Sequence, residues 1–304
     1  MMKKEKKPFE ELKLILADID GTLVNEPREM MPYTREVIKY LHDKKGVLFG
    51  IASGRPGDEL SATIAGYDLG FEPEFLIGMN GGEIIDTKTN QETVCYPLEP
   101  ETIKEILELM QDFTYANPVI YQDHQLVCAW IDELVETSCQ HASKKARVVK
   151  DRSEYWDKPT GKIMLRTPAA ELCVEMEEFA KKHPSTKYTA FRTQPTLLEF
   201  QDPRANKGAA LMSLSSQYNI PVQTIAAFGD ASNDNEMLAE SGLGVCMING
   251  LDDTKACADE LTKHDNNCDG MVRYIVDRFP ELFDEFNVKA PELPAQSIER
   301  EEWI

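Results

Sequence analysis

Five short stretches of the chain carry side chains that could do chemistry together. Asp18-Ile19-Asp20-Gly21-Thr22 sets two carboxylates two residues apart with a hydroxyl close behind. Ser53-Gly54-Arg55-Pro56 offers a second hydroxyl on a glycine-rich turn, and Asn80-Gly81-Gly82 a carboxamide on another. Lys207 opens a helical segment, and Gly229-Asp230-Ala231-Ser232-Asn233-Asp234 supplies two more carboxylates and an amide. Singly, each has a plain reading. Asp before Gly forms turns, Ser-Gly does the same, most lysines are solvated, and Asp230 or Asp234 could cap the next helix. Together they say more. Four carboxylates (Asp18, Asp20, Asp230, Asp234) converging on one rim would repel one another unless a cation or proton neutralised them. An all-oxygen donor set suits a hard ion, Mg²⁺ first. Ser53, Lys207 and a helix start at Gly54 are donors for an oxyanion such as phosphate. Carboxylate nucleophile, metal, cationic clamp and hydroxyl spell phosphoryl transfer.

These residues must be positioned by elements that the apolar pattern makes visible. Leu14–Ala17, Val47–Ala52 and Phe75–Ile77 are short apolar runs, each ending at one of the polar stretches. Pro32 opens a helix with Val37, Ile38 and Leu41 on one face, closed by Lys44-Lys45-Gly46. The last third repeats this idiom. Lys207–Tyr218 reads as a helix, Thr224–Phe228 as a strand, Asn235–Ser241 as a short helix and Gly244–Met247 as a strand. Alternation of this kind marks the α/β class, a parallel sheet wound with helices whose ligands bind beyond the carboxyl ends of the strands. The middle reads otherwise. Helices near 99–111 and 168–182 sit among strand-like pieces at Pro118–Tyr121, Gln125–Trp130, Lys162–Arg166, Lys187–Phe191 and Thr196–Phe200, with Gln122-Asp123-His124 as a hairpin turn. Residues 83–200 are therefore expected to form an inserted α+β domain, with 1–82 and 201–304 forming one discontinuous core and 288–304 a loose tail.

The ordered set DIDGT (18–22), SGRP (53–56), NKGAAL (206–211) and GDASNDNEML (229–238) resembles the haloacid dehalogenase superfamily. MNGGEIID (79–86) and LEFQDPRANKGAAL (198–211) resemble its Cof-type phosphatases, the branch with a large α/β (type IIB) cap. The resemblance implies a Rossmann-like core, a Mg²⁺ cofactor and a small phosphorylated metabolite as partner, sugar phosphates first. It implies that Asp18 attacks phosphorus and becomes an aspartyl phosphate, and that Asp20 protonates the leaving oxygen and then activates water. Gly21 would allow a tight departure, and Thr22 would orient a carboxylate. Ser53, the amides of Gly54 and Arg55, and Lys207 would hold phosphoryl oxygens. Asp18, the Asp20 backbone carbonyl and Asp230 would bind metal, with Asp234 contributing directly or through water, and Asn233 would contact metal or phosphate. Asn80 would support the site or meet substrate. In Cys246-Met247-Ile248-Asn249-Gly250, Ile248 stands where such chains usually carry glycine, so the adjoining loop is expected to differ or to narrow the leaving-group space.

The cap would set specificity, and Tyr121, His124, Trp130, Arg166 and Arg192 are its candidates, each with a packing alternative. Composition excludes other classes. With 53 acidic against 33 basic residues the 304-residue chain carries a net charge of −20, which argues against nucleic acid and anionic membranes. Seven scattered cysteines without a CxxC pair argue against a disulfide framework or a structural zinc site, and the histidines show no HxxxH or HExxH spacing. The interrupted apolar stretch near the start reads as a strand, not a signal peptide, and no apolar run is long enough to span a bilayer. A cytoplasmic protein is expected; oligomeric state is left open. The competing functions are a phosphomutase of the same branch and a catalytically silent regulatory protein. Asp18, Asp20, Lys207 and Asp230 occurring together weigh against silence, and Asp20 against a dehalogenase.

Overall fold

The computed structural model describes residues 8–123, 125–142 and 144–293, so His124 and the tail from 294 onward lie outside the described residues. The chain begins with β1 (Leu14–Ala17), α1 (Pro32–Tyr40), β2 (Leu48–Ala52), α2 (Gly57–Ala65), β3 (Phe75–Gly78), β4 (Glu83–Asp86) and β5 (Gln91–Val94). It continues through α3 (Pro100–Leu109), β6 (Asn117–Gln122), β7 (Gln125–Cys128), α4 (Glu133–Ala142), β8 (Lys145–Val148), β9 (Lys162–Arg166), α5 (Ala170–Lys182), β10 (Thr189–Gln194) and β11 (Leu197–Gln201). The last part holds α6 (Lys207–Tyr218), β12 (Ile225–Gly229), α7 (Asn235–Glu240), β13 (Leu243–Cys246), α8 (Asp252–Cys257), β14 (Glu260–Leu261) and α9 (Gly270–Arg278).

Two compact units divide this chain, one ending at Thr93 and resuming at Asn206, the other covering Val94–Ala205. In the first, eight strands stand in the order β14-β13-β12-β1-β2-β3-β4-β5. β14 through β3 are parallel, and β4 returns antiparallel to β3. Along the parallel part the order reverses between β1 and β12, the switch point where a crevice opens in doubly wound sheets. Burial explains the apolar runs: β1, β3, β12 and β13 are buried along their whole length, as strands covered on both faces must be. Around them pack Val37 and Ile38 of α1, Leu60 of α2, and Val272 and Ile275 of α9. Helix α1 starts with proline, where a missing N–H costs nothing.

The second unit carries a six-stranded sheet in the order β10-β11-β9-β6-β7-β8. Ile103, Ile106 and Leu107 of α3 and Cys173 and Met176 of α5 pack with Ile163, Leu165, Leu198 and Phe200 of the sheet. The expected hairpin is present, with Gln122 opposite Gln125 and Asp123 at φ 52°.

Two expectations are corrected. The insert does not begin at 83, because Gly78 pairs with Glu83 and Phe75 with Asp86, which makes β4 part of the core sheet, with β5 beside it. At the other end Gln201 closes β11, and its side chain donates to the Ala205 carbonyl at 2.5 Å, so the turn to 205 belongs to the insert. The Gly81-Gly82 break looks like a domain boundary but serves a tight return. Inside the insert, the apolar pattern does not announce α4 and β8: β8 lies parallel to β7, reached through a helix in which Val135 is the one fully buried apolar side chain among those described. Such a thin apolar stripe gives little periodic signal. Residues 288–293 carry neither helix nor strand, and Arg273 Nη2 donates to the Pro291 carbonyl at 2.5 Å.

Candidate active site

Asp18 leaves β1 and Asp230 leaves β12, so the switch point places them side by side. Asn206 caps α6, its side chain accepting the Ala209 N–H at 2.7 Å, which makes Lys207 the first helical residue. The Lys207 side chain is fully buried and donates to Asp18 Oδ1 at 2.5 Å and to Asp234 Oδ1 at 2.6 Å. The second oxygen of Asp234 accepts the N–H groups of Asp230 and Ala231, at 3.0 and 3.1 Å, and so folds the turn after β12. Thr22 Oγ1 donates to Asp230 Oδ1 at 3.0 Å. Gly21 takes φ +83°, and a Cβ there would stand 2.4 Å from Asp230 Oδ2, so both conformation and space require glycine.

Asp18, Asp230 and Asp234 each bring a carboxylate oxygen within 4.8 Å of the others. Burial raises the Asp18 carboxyl most, Lys207 draws it down, and Asp234 and Asp230 push it up again; it stays well above the ordinary carboxylate range. Asp230 is pushed up to about 6 by burial and by Asp234, against the hydroxyl of Thr22 and the charge of Lys207. Burial alone would lower the Lys207 ammonium, but Asp18 and Asp234 more than reverse this and hold it above its usual value. Three carboxylates, two buried and Asp230 partly so, against one ammonium leave uncompensated negative charge. A divalent hard cation among these oxygens would relieve it, so the donor set fits Mg²⁺.

Two site expectations change. Asp20 does not join the cluster: its side chain is 47% exposed and pairs with Arg55 Nη2 at 2.8 Å and with Arg28 Nε at 3.5 Å. Ile19, between it and Asp18, is fully buried, and the chain turns directly after it, the Leu23 N–H donating to the Ile19 carbonyl at 3.0 Å. Asp20 therefore leaves the face that strict alternation would share with Asp18. Nor does a helix start at Gly54. Helix α2 begins at Gly57, whose N–H is taken by the internal carboxylate of Glu83 at 2.7 Å, so that donor is engaged within the fold. Ser53 is buried, and its Oγ accepts the Arg55 N–H at 3.3 Å. Asn80, buried at the exit of β3, donates its N–H to the Ser53 carbonyl at 2.9 Å and accepts Asn233 Nδ2 at 2.9 Å. Gly54 lies beside it, since a Cβ at Gly54 would meet Asn80 Oδ1 at 3.2 Å. Ile248 is 40% exposed, and its N–H donates to Thr262 Oγ1 at 3.0 Å.

Among the described residues, each specificity candidate of the insert is engaged by a neighbour, and Tyr121 lies in the field of Arg166. Arg166 Nη2 donates to Ser138 on α4 at 2.8 Å, Arg192 pairs with Glu177 on α5 at 2.9 Å, and Trp130 donates to Asp132 at 3.0 Å. Lys144 Nζ sits 4.4 Å from the centre of the Tyr121 ring. His124 lies outside the described residues. Sequence reasoning misses Arg28, Glu83 and a buried pair in the insert, Lys162 with Glu199 at 2.9 Å. The alternation of Lys162, Met164 and Arg166 along β9 is the available signal for the last of these.

Comparison with known proteins agrees with this geometry. A sequence profile of haloacid dehalogenase-like hydrolases matches residues 15–275. Two Bacillus subtilis proteins named 5-amino-6-(5-phospho-D-ribitylamino)uracil phosphatase are similar to the chain. YcsE is 27% identical over 267 residues, covering 87% of this chain and 95% of its own. YitU is 25% identical over 291 residues, covering 90% and 99%. A crystal structure of a haloacid dehalogenase-like hydrolase from Bacteroides thetaiotaomicron superposes with a TM-score of 0.77 at 25% identity, over 88% of this chain and 100% of that one. With the profile spanning both compact units and the polar cluster set at the β1/β12 switch point, the chain belongs to the haloacid dehalogenase-like hydrolases.

Proposed function

We propose that this hydrolase is a Mg²⁺-dependent phosphatase of small phosphomonoesters, working through an aspartyl phosphate on Asp18. One observation carries the reading: a buried carboxylate, Asp18, shares a lysine with Asp234 and lies against Asp230, while a second carboxylate two residues on faces outward. Asp18 forms a bond to phosphorus as the ester oxygen leaves, and Asp20 gives that oxygen its proton. Asp20 then takes a proton from water, whose oxygen displaces the Asp18 carboxylate and releases phosphate. Asp20 would perform both steps from its exposed position, where it pairs with Arg55 and Arg28. Lys207, the Ser53 hydroxyl, the Gly54 and Arg55 loop and Asn233 would hold the phosphoryl oxygens. Asp18, the Asp20 carbonyl and Asp230 would hold Mg²⁺, with Asp234 adding charge directly or through water. The ion would offset charge on the phosphoryl oxygens and on the three carboxylates.

The ester is expected to be a polyhydroxylated metabolite, a sugar or sugar-alcohol phosphate. Two similar proteins are named for a ribityl phosphate, and a −20 chain is unsuited to polyanionic polymers. Hydrolysis of p-nitrophenyl phosphate with Mg²⁺, by wild type and Asp18→Asn, tests the scheme. The variant should lose on the order of 10³-fold or more, and EDTA should abolish wild-type turnover. Full activity in Asp18→Asn would sink the nucleophile assignment, and activity indifferent to EDTA the metal. A screen of phosphorylated sugars and sugar alcohols then names the substrate class.

A further inference from the structure

Met79, Asn80 and Gly81 follow β3 with φ values of 48°, 54° and 98°. Only the glycine adopts that region freely, and left-handed non-glycine residues cost about 1–3 kcal/mol each. Asparagine tolerates it best among the others. A turn that only had to leave a strand would not need this succession. The segment touches three separate stretches. Met79 N–H donates to the Arg55 carbonyl and Asn80 N–H to the Ser53 carbonyl, both at 2.9 Å. Gly81 backs onto the start of α6, where a Cβ would stand 2.2 Å from the Asn206 carbonyl oxygen and 3.0 Å from the Lys207 nitrogen. The third stretch is the loop after β12, reached by the Asn80 side chain through Asn233.

That last contact spans the site. In the order β12-β1-β2-β3, the strands carrying Asn233 and Asn80 have β1 and β2 between them, so at about 4.8 Å per strand the exits start roughly 14 Å apart. The Asn233 Nδ2 to Asn80 Oδ1 hydrogen bond therefore closes over the ends of the strands that bear Asp18 and Ser53. Asn80 is 3% exposed, and its Nδ2 has no hydrogen-bond partner among the described residues. A buried donor left so costs about 1–3 kcal/mol. Strain and desolvation are both concentrated on a residue whose side-chain oxygen has one visible task, holding Asn233.

We propose that Asn80 is a positioning residue, a strap that fixes the carboxamide plane of Asn233 and so aims its second N–H at the phosphoryl group. This rests on the phosphatase reading above for the identity of the group, but not for the strap itself. Without the strap the amide turns about its last torsion, which is broad and two-fold, and shows carbonyl oxygen as readily as N–H.

Asn80→Gly tests this, because glycine keeps the left-handed backbone while the whole side chain, carboxamide included, is removed. Its melting temperature should match or exceed that of wild type. Its kcat/KM for p-nitrophenyl phosphate should fall about tenfold, the scale of one oriented hydrogen bond. Asn233→Ala should lose at least as much, and Asn80→Gly with Asn233→Ala no more than Asn233→Ala alone. Additive losses, or an Asn80→Gly enzyme with wild-type kinetics, would overturn the strap. A wild type that hydrolyses no phosphomonoester would instead overturn the phosphatase reading. The strap is then judged by NMR of the Asn233 side-chain amide: faster hydrogen exchange in Asn80→Gly supports it, and unchanged exchange refutes it.

Discussion

Two buried lysines, one in each compact unit, make an instructive pair. Lys162 in β9 meets Glu199 in β11 at 2.9 Å, with side chains 4% and 5% exposed, and Thr193 satisfies the other carboxylate oxygen at 2.9 Å. Lys207 meets Asp18 and Asp234, with Asp230 alongside. In the insert one ammonium meets one carboxylate across adjacent strands, and within that pair the charges balance. At the switch point one ammonium faces three carboxylates, and they do not. Both arrangements give up hydration, but only the unbalanced one calls for something from outside the chain. Charge imbalance, more than burial, separates a place where chemistry happens from a place where architecture is fixed.

The contrast can be broken experimentally. Lys207→Met leaves buried Asp18 and Asp234, with Asp230 alongside, without an internal cation, and should cost about 3–5 kcal/mol of stability in urea titrations without magnesium. No single apolar replacement of a partner should recover it fully, whereas Mg²⁺ should offset part of it. Lys162→Met should cost up to the same amount, yet Lys162→Met with Glu199→Leu should return to within about 2 kcal/mol of wild type. A double variant as weak as the single one would mean that the insert pair is not self-contained.

Magnesium should distinguish the units next. At a hundredfold excess over its dissociation constant it adds about 2.7 kcal/mol to stability, and Asp230→Asn should abolish the gain. Without the metal, Asp230 titrates near 6 in the fold and near 3.9 when unfolded. The folded state then holds more protons between these values, so stability falls as pH rises from about 4 through 6, and Asp230→Asn should flatten that slope. A slope unchanged in the variant would reassign the charge imbalance to other groups. The smallest effect is expected from Thr22→Val, which deletes one hydrogen bond to Asp230 and should cost about 1 kcal/mol.

Much of this site is legible in the sequence, for a local reason. Strands buried on both faces are written as apolar runs, and the polar residues that end them stand at the sheet's carboxyl edge. Asp18, Ser53 and Asp230 are visible in that way, and Lys207 by its place at the head of a helical pattern. What escapes depends on pairing between distant segments. Glu83 follows two glycines and looks like the start of a new domain until Gly78 is seen opposite it. The outward turn of Asp20 depends on Arg55, thirty-five residues away. Helix α4 buries too little apolar surface to announce itself, and its partner Arg166 looks like a ligand-binding residue until Ser138 is placed beside it.

Asn206 has an evolutionary consequence. Because this cap sets where α6 begins, the ammonium of Lys207 takes its angular position from the residue immediately before it. Successive helical residues are rotated by about 100°, so a slip of one place would swing the lysine out of the crevice. With the start set locally, the chain upstream of Asn206 can be lengthened, trimmed or replaced, and the lysine keeps its bearing. Inserts of very different sequence could thus be tried on one catalytic frame without retuning it.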